Sequence, residues 1–90
     1  MKIKMPAEGQ LAQSLQGRDK GKYYVVVSVS DNRVNLIDGK KRKLSNPKVK
    51  NLKHLYFLPE RTDIKRDGAY ENNVARFIKE QIKLKGKSED

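Results

Sequence analysis

Tyr23-Tyr24-Val25-Val26-Val27-Ser28-Val29 leaves this chain little choice of local structure. β-branched and aromatic side chains lose rotamer freedom in a helix and pack well on a pleated surface, so the run predicts a strand. Its odd positions Val25, Val27 and Val29 form one apolar face, and Tyr24, Val26 and Ser28 form the other. Shorter runs flank it: Leu11 to Leu15 before, and Val34 to Ile37 after a turn at Ser30-Asp31-Asn32-Arg33. Val49, Leu52 and Leu55 read as a last short strand or turn. With the second arm of a hairpin after Asp38-Gly39, that makes about five strands and no room for a crossover helix. The expectation is a mainly β fold, a small barrel over residues 10–58.

The hairpin's register decides where its cations point. A two-residue loop at Asp38-Gly39 sets Leu36 opposite Lys41 and Val34 opposite Lys43, turning lysines to the core. A three-residue loop through Lys40, with Gly39 left-handed, sets Val34 opposite Leu44 and Leu36 opposite Arg42. The second register is preferred, because a slip of one residue exchanges both faces and burying lysines is costly. Arg42 then sits at the rim with its head in water.

Outside the barrel, residues 1–9 read as a flexible lead-in and 59–72 as a polar linker containing Pro59 and Gly68. Asn72-Asn73 offers an N-cap for an amphipathic helix over 73–85, ended by Gly86, with 86–90 as a frayed tail. Val74, Phe77, Ile78 and Ile82 share one stripe; Arg76, Lys79 and Lys83 lie opposite. That stripe can dock on the barrel, on a partner or, less simply, on a membrane surface.

From Gly39 to Lys53 the chain carries seven cations and no acid, within a net charge of +10. Such a segment stores repulsion that a polyanion relieves, and nucleic acid is the commonest dense polyanion. The bland alternative is a solvated lysine-rich hairpin that keeps the protein in solution. A second basic loop, Gly17-Arg18-Asp19-Lys20-Gly21-Lys22, joins the first two strands. Its glycines permit positive φ and its amides can sit beside three cations, a combination suited to phosphate. It also reads as an ordinary glycine-containing connection. Cysteine is absent, which excludes disulfides and thiolate metal sites, and His54 stands alone. No apolar run approaches the roughly 18 residues of a membrane span, and Met1 to Pro6 precedes no apolar stretch, unlike a secretory signal. No carboxylate pair, nucleophile arrangement or metal cluster is apparent. The expectation is therefore a cytoplasmic protein that is not an enzyme, with no cofactor, metal, membrane or small-molecule substrate.

The stretch from Gln10 to Val27, with its basic loop and Gly21, resembles a KOW motif. Leu36-Ile37-Asp38-Gly39-Lys40-Lys41-Arg42-Lys43 and Lys50-Asn51-Leu52-Lys53-His54-Leu55 narrow the likeness. They are similar to the KOW family that includes a large-subunit ribosomal protein of archaea and eukaryotes and small stand-alone bacterial RNA-binding relatives. The resemblance covers residues 9–56 and implies an SH3-like barrel that binds RNA, above all ribosomal RNA, with ribosomal proteins as further partners. Carried over by position, Arg18, Lys20 and Lys22 in the loop and Lys41, Arg42 and Lys43 in the hairpin become the contacts. Lys40, Lys48, Lys50 and Lys53 join them by charge. The added linker and helix depart from the ribosomal members, which leaves open a ribosomal component or a visiting factor. Of Tyr23 and Tyr24, one should pack inward while the other can stack on a base; Tyr56 and Phe57 should cover the barrel end or dock the helix. A protein-interaction adaptor using the C-terminal helix is the rival reading.

Overall fold

A computed structural model describes residues 6–62 and 67–87. Strands β1 (Gln10–Ser14), β2 (Tyr23–Ser30), β3 (Arg33–Ile37) and β4 (Lys48–Asn51) are followed by a 3-10 turn (Leu52–His54), β5 (Leu55–Arg61) and helix α1 (Tyr70–Lys87). All strand pairs are antiparallel, in the order β4-β3-β2-β1-β5. The mainly β architecture of five strands and one trailing helix is the one expected.

β4 and β5 occupy opposite edges of this sheet, yet only the 3-10 turn separates them. From Asn51 to Leu55 the chain reaches about 14 Å at most. Four inter-strand spacings in a flat sheet need about 19 Å. The sheet therefore curls, although β4 and β5 share no ladder and it stays open. Leu52 packs on the face carrying Ala12, Tyr24, Val26, Val34, Leu36 and Leu55, so the turn closes over that side. The other face presents Leu11, Val25, Ile37 and Leu58, covered by Tyr70, Val74 and Ile78 of α1. The helix stripe thus docks on the chain's own sheet.

Val29 departs from the expected alternation. It packs with Tyr24 and Val26, whereas Val27 stays with Val25. The ladder to β3 shifts between Val26 and Ser28. This bulge inserts one unpaired residue and reverses the faces beyond it.

The hairpin register also differs from expectation. Leu36 pairs with Lys48 and Val34 with Lys50, so neither Leu44 nor Arg42 lies opposite β3 and residues 38–47 form a loop. Asp38 is the cause. Its Oδ1 accepts the backbone amides of Lys40 at 2.8 Å and Arg42 at 2.9 Å. The amides of Asp38 and Gly39 donate to the Arg42 carbonyl at 2.9 and 3.0 Å. The chain closes on itself before a second strand can start. Glu71 of α1 then takes the Leu44 amide at 2.7 Å, which claims a donor that a ladder would need.

Gly39 is left-handed as expected, with φ at +81°, and its bare face meets the helix. A Cβ there would run into the carbonyl oxygen of Glu71 and come within 2.8 Å of the Ala75 amide. Gly21 has φ at +91° but open space around it. Gly21→Ala should therefore cost only the left-handed penalty of about 1–2 kcal/mol. Gly39→Ala should cost clearly more, because backbone must also move. Urea midpoints of the two variants measure the difference, and equal midpoints would remove the helix–loop contact from the account.

The expected boundaries shift at both ends. β5 runs through Pro59 to Arg61, shortening the linker. Pro59 is tolerated because β5 is an edge strand and its ladder with β1 is irregular between Gln10 and Ala12. There the Gln10 side chain donates to the Leu58 carbonyl at 2.8 Å. The lead-in is tied down where it is described: Gly9 donates to the Val26 carbonyl at 2.8 Å and accepts from the Thr62 amide at 2.9 Å. α1 begins at Tyr70, three residues early, because Asp67 accepts the Ala69 amide on its side chain and the Tyr70 amide on its carbonyl. It also runs past Gly86, whose cost of about 1 kcal/mol does not stop a helix. Residues 1–5 of the lead-in, 63–66 of the linker and 88–90 of the tail lie outside the described residues.

Candidate nucleic-acid interface

In this antiparallel order the C-terminal ends of β1 and β3 and the N-terminal ends of β2, β4 and β5 share one end of the sheet. The 15–22 and 38–47 loops therefore emerge side by side. Arg18, Lys20 and Lys22 on the first loop and Lys40, Lys41 and Lys43 on the second are all exposed. Arg42 is half-buried and reaches the Asn46 Oδ1 at 3.4 Å. Lys53 is exposed on the 3-10 turn, whose His54 carbonyl accepts the Leu15 amide at the root of the first loop.

Lys48 and Lys50 have a different fate. Asp19, only 8% exposed, sits at the centre of a polar cluster that joins β1, the first loop, β2 and β4. Its Oδ1 accepts from the Ser14 hydroxyl at 2.9 Å and the Lys50 Nζ at 3.2 Å. Its Oδ2 accepts from the Tyr24 hydroxyl at 2.9 Å, and the Lys48 Nζ stands 3.7 Å away. Lys50 also donates to the Gln16 carbonyl at 2.9 Å. Burial alone would raise the Asp19 pKa, but the hydrogen bonds from Ser14, Tyr24 and Lys50, together with the Lys50 charge, bring it down to about 2. Burial pushes the Tyr24 hydroxyl up, reinforced by its hydrogen bond to Asp19 and that residue's charge. Lys50, with an 11% exposed side chain, is thus a structural cation and leaves the set of phosphate contacts. Lys48 is partly drawn into the same cluster.

The second half of the first loop offers no amides to an anion either. The amides of Lys20, Gly21 and Lys22 turn inward to the carbonyls of Gly17, Ser14 and Asp19, at 3.1, 2.8 and 2.9 Å. What Lys20 and Lys22 offer a phosphate is their side chains.

Between the two loops and α1 lies an open groove of about 600 Å³. Lys22, Lys40, Lys41 and Lys79 stand around it, and Tyr23, Ile78 and Ile82 supply its apolar lining. Asp38 is the one carboxylate there, with Oδ1 engaged by two amides. Tyr24 is the inward member of the tyrosine pair, and Tyr23, half-buried, lines the groove. Phe57 joins the Tyr24 core, while Tyr56 is 55% exposed. Lys79 is the residue that sequence reasoning missed. Periodicity sets it opposite the apolar stripe, yet the docked rotation of α1 leaves it at the edge of the groove with Ala75, Ile78 and Ile82, facing the loops.

Among the described residues no helix is long and apolar enough to cross a membrane. No protein-family model matches the chain.

Proposed function

We propose that this protein is a non-catalytic RNA-binding module that grips the phosphate backbone through the two basic loops at one end of its sheet. The observation that carries this reading is the convergence of six exposed cations, Arg18, Lys20, Lys22, Lys40, Lys41 and Lys43, on that end. A fold that spends an ion-pair partner on Lys50 leaves these six facing solvent together, and a polyanion relieves their mutual repulsion. Lys53, Arg42 and Lys48 flank the surface. Contacts of this kind position a protein on a backbone and carry little sequence information.

The KOW resemblance adds the finer reading: ribosomal RNA of the large subunit as the target, and a cytoplasmic, ribosome-associated protein as the carrier. Crosslinking the protein to cellular RNA and mapping the contacts tests it. Contacts concentrated in large-subunit RNA are expected; contacts confined to transfer or messenger RNA would redirect the assignment. Recovery of no RNA would reject it. The adaptor alternative loses most of its surface, because Val74 and Ile78 of the helix stripe are buried against the sheet.

A further inference from the structure

We propose that the groove between the loops and α1 receives one unpaired nucleotide of the bound RNA, its base against Tyr23 and Ile82 and its flanking phosphates among Lys22, Lys40, Lys41 and Lys79. The inference rests on the RNA-binding reading and sharpens its substrate class. A uniform duplex needs only a basic rim that follows its backbone. It gives no use to a concave apolar lining between the lysines, since side chains read A-form RNA by shape and phosphate contacts. Here such a lining exists and is left uncovered. Tyr23 is half-buried, and Ile82 is 48% exposed at the mouth. The volume of about 600 Å³ falls within the roughly 300–1,000 Å³ of sites that hold single small molecules.

Charge complementarity selects the occupant. Four lysines from three separate elements surround the lining, against the single carboxylate of Asp38. A neutral apolar ligand would gain nothing from them. An unpaired nucleotide presents the matching pair of features, a flat π-face and charged groups on both sides of it. Base-on-aromatic stacking tolerates any base, so the groove selects unpaired structure and not sequence.

The test uses the full chain and two RNA duplexes of equal length, one uniform and one carrying a single 2-aminopurine bulge. Anisotropy gives the affinities, and 2-aminopurine emission reports stacking. The bulged RNA should bind about tenfold tighter, with its emission quenched on binding. Tyr23→Leu should abolish that preference and the quenching while leaving the uniform duplex unaffected. Ile82→Gln, at an exposed helix position that does not threaten folding, should reduce both. Equal affinities for the two RNAs with unchanged emission would overturn the nucleotide site and leave backbone binding standing. The same holds if both variants weaken the two RNAs alike. Binding to neither RNA, or groove binding by an acidic peptide in their place, would overturn the RNA-binding reading itself.

Discussion

Asp19→Ala is expected to destabilise the fold by about 3–5 kcal/mol, the range for breaking a buried ion pair from one side. The loss is large because three hydrogen-bond donors converge on one carboxylate, with the Lys48 ammonium standing 3.7 Å away. Without it the Lys50 ammonium keeps only the Gln16 carbonyl, and the Tyr24 and Ser14 hydroxyls lose an acceptor inside the protein. Total stabilities of small domains lie at about 5–15 kcal/mol, so the variant should stand near the edge of folding. The double variant Asp19→Ala/Lys50→Met should recover much of the loss, since no charge is then stranded. The effect also has a pH signature. A carboxyl held at about 2, against 3.8 ordinarily, favours the folded state in its ionised form. Its contribution is complete above pH 3.8 and disappears as pH falls through about 2. That part amounts to about 2 kcal/mol. The gap between wild type and Asp19→Ala in urea midpoint should therefore narrow from pH 4 to pH 2. A difference in unfolding free energy below about 1 kcal/mol at neutral pH, from the same urea curves, would show that the cluster does not hold β4 to the first loop.

The same residue marks the limit of what the sequence discloses. Lys43 and Lys50 sit in one cationic run and look alike there, yet one is exposed and the other is paired with a carboxylate 31 residues away. Nothing local distinguishes them. The partner is set by the curl of the sheet, which brings β4 against the loop between β1 and β2. The strands themselves were legible because β-branched runs and turn residues act over a few positions, and Gly39 was legible as a left-handed residue for the same reason. The chain after Gly39 was not, because a local Asp38 turn and a distant Glu71 carboxylate both compete with the ladder for its amides. Val29 was misplaced by a bulge, a one-residue event that a strict alternation of two cannot anticipate. The gathering of the basic loops follows from the strand order, which local sequence signals do not set. Lys79 entered the site only through the docking angle of α1.

Neutralising Arg18, Lys20, Lys41 and Lys43 together to Gln should weaken RNA binding by roughly two orders of magnitude near 0.15 M salt while leaving the fold intact. All four side chains are exposed and outside the Asp19 cluster, so the stability cost of each should stay within about 0.5 kcal/mol. The binding loss is electrostatic. If six to eight cations meet phosphates, log affinity should fall with log salt at a slope of about −4 to −7. Removing four contacts should make that slope shallower by about 3. The structure separates this result from a general loss of positive charge. Lys50→Gln also removes one cation, but from the paired cluster, so it should lower the urea midpoint and leave the salt slope nearly unchanged. Salt titrations of the three proteins by anisotropy distinguish the cases. A folded quadruple variant with wild-type affinity and slope would dissolve the proposed interface, and a slope change in Lys50→Gln equal to that per loop cation would return Lys50 to the phosphate-contacting set.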